Sequence, residues 1–487
     1  MMRKFIFSSL FILTISSIAF SQQSTPSDFV AGRILQSGEI TPESVDYLTI
    51  QTTNSEVSDL PSEIREVDGD LSIQFSHDLE SLLDFQHIQR VNGDLRIVGN
   101  PKLYDLSGLD NLQYVGGDLI IRNNAGLTRL AGLDGVIIAG SIIIEGNSAL
   151  ESLNHLNLPK NINGHLHLIN NPRLQQLHEL RTVEHIAGDL LVAHNTSLTA
   201  FPDCHLLNDI GGDLRFAFNP GLEEIGDMPN LTNIGGSWVL ENNEQLIRSG
   251  SIPELQTIGG EFLLRDLPHL IEIHPLPKLE SVNGNFRIVR SEKLEEVSIL
   301  SPNWTIAGDL ILDDNDELIN ISGLSGLKSM AGELIVKDNE RLTSLIGLDY
   351  IDPGSITRLE LIDNPLLDYC HVEAVCGYLS AESMNLIITN NNIYCNDSRT
   401  IWNYCKSIDF TKSSIINLSP NPADKFIEIE SEKPSQLKIY SIAGNEVIDI
   451  SNFEGGTIDI SSLTPGPYIV EMTYEEDKTR TIKFIKQ

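Results

Sequence analysis

Apolar residues recur through the middle of the chain in a fixed register around a repeated glycine. Ten of the eleven intervals between these glycines are 24 residues and one is 23: Gly69, Gly93, Gly117, Gly140, Gly164, Gly188, Gly212, Gly236, Gly260, Gly284, Gly308 and Gly332. With the glycine as position zero, positions minus two, two and four are apolar in every repeat. This alternation predicts a strand with one buried face. The glycine falls on the inward side, which predicts a tight corner or a close backbone approach.

After this strand the apolar spacing changes from two to three. Position ten is Leu in every repeat, and positions thirteen, sixteen and nineteen are mostly apolar. Position seven is usually Asn, as at Asn100, Asn124, Asn147, Asn171, Asn195, Asn219, Asn243, Asn315 and Asn339. A period of 20 to 50 residues is typical of a solenoid, and stacked Asn side chains can hydrogen-bond from turn to turn. The pattern therefore predicts a mainly β solenoid of 24-residue coils.

The repeat places the solenoid at residues 68–369, between an N-terminal cap at 22–67 and a C-terminal cap at 370–405. Four cysteines crowd into the second cap: Cys370, Cys376, Cys395 and Cys405. An even cluster of this kind in an exported chain predicts two disulfides, with three possible pairings. A zinc site is the alternative, although the cluster lacks paired CxxC units. The fifth cysteine, Cys204, occupies an apolar column and is predicted to be a buried free thiol.

Both ends of the chain indicate export. Residues 1–21 combine a basic start with a short apolar run and predict a cleaved signal peptide, with no membrane span in the mature chain. Residues 406–416 are predicted to be a linker. Beyond them, at 417–487, short alternating strands separated by Gly and Pro turns predict a small, independent all-β module.

The repeat motif V-x-G-D-L-x-I-x-x-N-x-x-L-x-x-L-x-x-L is clearest over Val91–Leu109 and Val115–Leu133. It resembles the receptor L-domain, a right-handed solenoid related to leucine-rich repeats. The resemblance implies binding of a protein or glycan without chemistry, and it identifies no particular ligand. The expected fold is thus mainly β, with a right-handed solenoid followed by a small C-terminal β-sandwich.

Three ordered motifs in the last module, within 418–423, 438–444 and 460–470, closely resemble the type A C-terminal sorting domain of type IX secretion. The residues that carry this resemblance are Pro420, Asn421, Pro422, Gly444, Gly466 and Tyr468. Pro467 departs from the family, which usually has a β-branched residue before the Tyr. The resemblance implies handling by the type IX machinery and removal of the tail. The protein would then be anchored on, or released from, the outer surface of a Gram-negative, Bacteroidetes-type cell.

The net charge of −35 narrows the range of partners. It argues against nucleic acid, which requires basic patches, and against charge-driven binding to anionic membranes. It is compatible with a soluble surface protein whose copies repel one another. The sequence shows no GxSxG, HExxH or P-loop motif, and we assign no catalytic residue, metal site or cofactor.

Two groups of polar residues nevertheless offer side-chain atoms of the kind that bind metal ions. Position one is Asp in six repeats: Asp70, Asp94, Asp118, Asp189, Asp213 and Asp309. A Ca²⁺ ladder is possible there, but we favour hydrogen bonds from each Asp to local backbone at the Gly-Asp corner, because Ca²⁺ needs six or more oxygens. His165 and His167 share the outer face of one strand, with Asp189 one coil away. We expect solvated histidines, with metal binding as the alternative.

Position three suggests where a ligand binds. This outward column is largely apolar with interspersed arginine, and its candidate binding residues are Arg96, Ile120, Ile143, His167, Leu191, Arg215 and Arg287. An exposed apolar strip of this kind is typical of an interaction surface, although the strip could instead be covered internally. The sequence therefore predicts a non-catalytic adhesin or ligand-capture rod. The alternative is a β-helix polysaccharide-degrading enzyme, which the uniform repeat disfavours by leaving no room for long loops.

Overall fold

The computed structural model describes residues 33–37, 44–52, 60, 62–381 and 385–407 of the first part of the chain. From the last part it describes 417–419, 423, 425–430, 436–441, 446–451, 453, 456–464, 466–473 and 479–486. The predicted signal peptide and residues 408–416 of the predicted linker lie outside the described residues. The same is true of four predicted sorting residues, Pro420, Asn421, Pro422 and Gly444.

One long sheet runs through every coil. Fifteen parallel strands, one from each coil, pair in sequence order, and the antiparallel strand Arg33–Ser37 pairs with the first of them. These long strands are Leu48–Gln51, Leu71–Gln74, Leu95–Val98, Leu119–Arg122, Ile142–Glu145, Leu166–Ile169, Leu190–Ala193, Leu214–Ala217, Trp238–Glu241, Phe262–Arg265, Phe286–Val289, Leu310–Asp313, Glu333–Lys337, Arg358–Ile362 and Leu386–Thr389. We call this sheet the long-strand sheet.

A second set of strands, mostly two residues long, precedes the corner of each coil. Five of them form one parallel sheet: Ser44–Val45, Glu66–Val67, Arg90–Val91, Tyr114–Val115 and Ile137–Ile138. Eight form another: Asn161–Ile162, His185–Ile186, Asp209–Ile210, Asn233–Ile234, Thr257–Ile258, Ser281–Val282, Trp304–Ile306 and Leu327–Ser329. A two-stranded sheet joins Ala200–Phe201 to Glu224–Ile225. The single strand predicted across the glycine is thus two strands in different sheets, because the chain turns at the glycine.

The glycine at this corner is required by the coil next to it. A Cβ on Gly117 would lie 2.0 Å from Asp94 Oδ1 and 2.9 Å from the carbonyl carbon of Gly93. No side chain fits at those distances, so the predicted close approach is confirmed. The approaching group is the position-one side chain of the preceding coil as well as its backbone.

The inward columns form one apolar core that extends from Val45 to Cys405. All twelve leucines at position ten are completely buried. Aromatic side chains at position two contact one another along the axis: Trp238 meets Phe262 edge to face with ring centroids 5.2 Å apart, and Phe262 stacks on Phe286 at 4.6 Å. Each coil therefore buries its apolar face against its neighbours, as expected for a solenoid.

The Asn column at position seven links the coils by hydrogen bonds. Asn124 is typical: its backbone N–H donates to Asn147 Oδ1 at 3.1 Å, and its own Nδ2 donates to the Ile97 carbonyl at 2.8 Å. The predicted stacking of asparagines is thus confirmed, with an interruption where Leu267 and Ser291 replace Asn and with Ser76 at the start of the column. The residue at position six, directly before the Asn column, has a positive φ in every repeat, as at Asn123 with φ 57°. The sequence analysis did not predict this left-handed residue.

Short helices occupy turns and the C-terminal cap. The 3₁₀ helices are Leu83–Phe85, His178–Thr182, Ser322–Leu324 and Pro353–Ser355, and the α-helices are Glu373–Leu379 and Ser398–Ser407. Two disulfides, Cys370–Cys395 and Cys376–Cys405, hold the α-helices at the end of the core. This resolves the pairing and removes the zinc alternative. Cys204 is a buried free thiol, and burial raises its pKa to about 12.

The C-terminal module contains two antiparallel sheets. One has strands Asn417–Ser419, Phe426–Glu430 and Gly456–Asp459; the other has Gln436–Ser441, Glu446–Ser451, Gly466–Thr473 and Thr479–Lys486. Both contribute to a single core that includes Ile427 and Ile458 from the first sheet and Ile439 and Val470 from the second. The predicted β-sandwich is confirmed. In the part of the chain that the structure describes, no helix has the length and apolar character needed to cross a membrane.

Replacing Leu127 by Asp tests the coupling between coils. Leu127 is completely buried at position ten, so the substitution places a charge in the core and should cost at least about 3 kcal/mol. Because stability couples nearest neighbours, we expect loss of protection in several adjacent coils, measured by hydrogen exchange and circular dichroism. Ala125→Asp is the control, since Ala125 is exposed in the same coil. Unchanged exchange in Leu127→Asp would contradict the coupling.

Candidate functional site

The candidate binding face is the outer side of the long-strand sheet, formed by positions one, three and five. Residues at position three lie side by side in register, for example Arg96 with Ile120, Ile120 with Ile143, and Ile143 with His167. Strands in one sheet lie about 4.8 Å apart, so each column brings successive side chains into contact. The outer face therefore carries three continuous columns of side chains.

The seven predicted position-three residues are all partly exposed. The same column also contains Val239 and Leu263, which are only 4% and 5% exposed although they lie on the outer face. Ile120 and Ile143 adjoin one another and form a short apolar strip between Arg96 and His167. The structure thus brings the predicted residues into one column, in which neighbouring side chains partly shield one another.

Position one forms a column of hydrogen-bond acceptors rather than a set of local turns. Asp70 Oδ1 accepts the backbone N–H of Asp94 at 2.8 Å, and Asp94 Oδ1 accepts that of Asp118 at 2.8 Å. Ser141 Oγ performs the same function in another coil. The expectation of bonds to local backbone is wrong, because the partner lies one coil further along. One oxygen of each such carboxylate is therefore already used by the fold.

The arginines at position three are paired with acids on either side. Arg96 forms ion pairs with Asp70 and Asp94, which are the position-one residues of the preceding and its own coil. Arg287 pairs with Glu261 at 3.0 Å. These pairs hold the guanidinium groups against the sheet, so the face presents neutralised charge pairs between its apolar residues.

A buried ion pair lies in the middle of the face. Glu241, at position five, is completely buried and is bound by Arg215 from one neighbouring coil and Arg265 from the other. The sequence analysis assigned Arg215 to the face but missed Glu241 and Arg265. The signal in the sequence is an acidic residue at position five, with an arginine at position three of the preceding coil and another at position five of the following coil.

His165, His167 and Asp189 also meet on this face. His165 Nδ1 lies 3.1 Å from Asp189 Oδ2, and His167 Nε2 lies 3.7 Å from the same oxygen. The His167 side chain is 22% exposed, so the expectation of two solvated histidines does not describe it. Burial lowers the pKa of the His167 imidazole, and the nearby His165 lowers it further.

In the sorting module, two of the predicted motif residues can be placed. Gly466 begins a strand with φ 143°, a conformation that side chains rarely adopt. The Tyr468 hydroxyl donates to the Thr464 carbonyl at 2.9 Å, and its ring stacks on Phe484 at 5.5 Å. Tyr468 is largely buried, so it ties the turn before its strand to the core of the sandwich.

The buried pair at Glu241 should contribute more to stability than the exposed pair between Arg122 and Glu145. We expect Glu241→Ala to cost about 3 to 5 kcal/mol because it leaves two arginines without their shared partner. Glu145→Ala is a matched control at position five, and its partly exposed pair is worth at most about 1 kcal/mol. Urea unfolding of the two variants measures the difference. Equal losses would show that Glu241 has no special stabilising function.

Comparison with known families agrees with this architecture. The Receptor L domain family model matches residues 65–161, which span the first coils of the solenoid. The Secretion system C-terminal sorting domain model matches residues 417–487. A search of curated proteins found no match. The sorting domain indicates handling by the type IX secretion machinery and a cell-surface or secreted location, as in Bacteroidetes. The chain is therefore a β-solenoid protein in which residues 65–161 match the receptor L domain and residues 417–487 match the type IX secretion C-terminal sorting domain.

Proposed function

We propose that this protein is a non-catalytic adhesin or ligand-capture rod of the outer cell surface, either anchored there or released. It binds a protein or glycan along the outer face of the long-strand sheet. The observation that carries the proposal is the column at position three, in which the partly exposed Ile120, Ile143 and Leu191 lie among charged or polar side chains. Outward positions on a sheet that meets only water are usually polar.

The composition of this column suits recognition better than catalysis. Arginine is enriched at interaction surfaces, and the buried centre of such a surface is more apolar than the rest of the protein surface. Arg96, Arg215 and Arg287 are already held by acidic partners, so they lose little conformational freedom when a ligand binds. A flat face that spans many coils suits an extended or broad partner.

Uniform coils support a binding function over the polysaccharide-degrading alternative. From Gly69 to Gly332 each repeat has 23 or 24 residues, so no coil in that range contains a long inserted loop. Enzymes of the β-helix type generally place their catalytic groups on such loops. A screen of glycans for new reducing ends or unsaturated products addresses this alternative directly, and any turnover would overturn the non-catalytic proposal.

Two lysine substitutions test the binding face. Ile120→Lys with Leu191→Lys places two charges in the apolar part of the column, and we expect binding to be abolished. The melting temperature should change little, because both side chains are partly exposed. A ligand found by screening protein and glycan arrays is the probe, and its dissociation constant is the measurement.

The matched control is Ile137→Lys with Leu206→Lys. Both residues are exposed apolar side chains outside the long-strand sheet. We expect this variant to bind normally. If the first variant unfolds instead, the column is part of the core and the binding-face proposal is wrong. If both variants bind normally, the ligand uses another surface.

Deleting residues 417–487 tests the route of export. The solenoid has its own core, separate from that of the sandwich, so it should fold without the tail. We expect the truncated protein to accumulate in the periplasm of a type IX-competent cell, measured by surface labelling and fractionation. Normal surface labelling of the truncated protein would contradict a sorting function for this domain.

A further inference from the structure

Three electron-rich atoms converge on the outer face: His165 Nδ1, His167 Nε2 and Asp189 Oδ2. His165 and His167 are two residues apart on the outer side of one strand, with ring centroids 5.1 Å apart. Asp189 lies beside His165 in the next coil, because Leu166 pairs with Leu190. This arrangement follows from the register of the sheet. The three residues belong neither to the arginine ion pairs described above nor to the apolar core.

Hydrogen bonds from the fold already engage His165 Nδ1 and one oxygen of Asp189. His165 Nδ1 accepts the backbone N–H of Asp189 at 3.0 Å, so this nitrogen carries a lone pair and no proton. Asp189 Oδ1 accepts the N–H of Asp213 at 2.8 Å, which leaves Oδ2 without that bond. His165 Nδ1 and Asp189 Oδ2 therefore face each other at 3.1 Å with no hydrogen between them.

His167 contributes the third candidate ligand atom. Its Nε2 is buried and has no hydrogen-bond partner in the described part of the chain. Asp189 Oδ2 lies 3.7 Å away, which is too far for a hydrogen bond. A buried polar atom without a partner is costly, so this nitrogen favours a cation that would accept its lone pair.

We propose that His165, His167 and Asp189 bind a divalent transition-metal ion of the zinc class. Zinc ligands lie about 2.0–2.2 Å from the metal in tetrahedral geometry, which places neighbouring ligand atoms roughly 3.3 Å apart. The distances of 3.1 and 3.7 Å to Asp189 Oδ2 bracket that value, and each of the three residues offers a ligand atom within 4.8 Å of those of the other two.

The donor set selects the class of ion. Two imidazole nitrogens and one carboxylate oxygen suit zinc, cobalt or nickel, whereas Ca²⁺ and Mg²⁺ prefer oxygen ligands. The ion replaces one backbone hydrogen bond at His165 Nδ1. The side chains of His165 and Asp189 are 46% and 34% exposed, so a fourth ligand, such as water or a group from a bound partner, can reach the metal from solvent.

The chain itself supplies replacements that remove one ligand each while keeping the coil intact. Ser and Asn occupy position one elsewhere, at Ser141 and Asn285, and accept the same backbone N–H. Leu occupies position three at Leu191. The variants His165→Ser, Asp189→Asn and His167→Leu are therefore expected to fold. His185→Asn is the matched control, since it removes another His–Asp pair, His185–Asp209.

The test uses purified full-length protein without an affinity tag. Isothermal titration with Zn²⁺ and the visible absorption spectrum of added Co²⁺ are measured at neutral pH. We expect one ion per chain, with tetrahedral-type Co²⁺ absorption, and at least about tenfold weaker binding in each ligand variant. His185→Asn should bind as the unmodified protein does.

Three results would overturn the site. The unmodified protein could bind neither ion, the three ligand variants could bind as tightly as it does, or His185→Asn could weaken binding equally. Melting temperature with and without Zn²⁺ gives a second readout, because an ion that binds only the folded chain raises it. A rise that is the same in the ligand variants would also count against these residues as the ligands.

Discussion

The close stacking of coils is the constraint on which the rest of this structure depends. Each coil must lie about 4.8 Å from the next for the parallel strands to pair. At that spacing a side chain can accept a backbone N–H from the neighbouring coil at two places. Position seven uses Asn in this way, and position one uses Asp, Ser, His or Asn. The glycine follows from the same spacing, since the acceptor of the preceding coil occupies the place of its Cβ.

The close stacking of coils also determines how the acidic side chains of the outer face are bound. A stack of aspartates at position one would repel if every carboxylate were free, but one oxygen of each bonds to the next coil. Arg96 then bridges Asp70 and Asp94 across two coils. Part of the acidic composition is therefore structural. The net charge of −35 still opposes nucleic-acid binding, but it does not by itself define a cation ladder.

The sequence was sufficient for the architecture because a 24-residue period with fixed apolar columns leaves few other ways to bury them. The sequence was insufficient for features that depend on which residues meet between neighbouring coils. The disulfide pairing required the positions of both cap helices, and the burial of Glu241 required Arg215 and Arg265 to meet from either side. The left-handed conformation at position six had a signal that the sequence analysis missed, since eight of its twelve residues are Gly, Asn or Asp, although Phe75 and Arg290 adopt it as well.

The proposed binding function depends on the positions that the repeat leaves variable. Positions two, four and seven are set by the core and the Asn column, so they change little from coil to coil. Position three lies outside both, and it varies among Ser, Ile, Leu, Val, Arg and His in one column. Some residues of this column still support the fold, since Arg215 binds the buried Glu241. The remaining side chains at position three are thus the ones that the fold constrains least, and we propose that ligand specificity is encoded there.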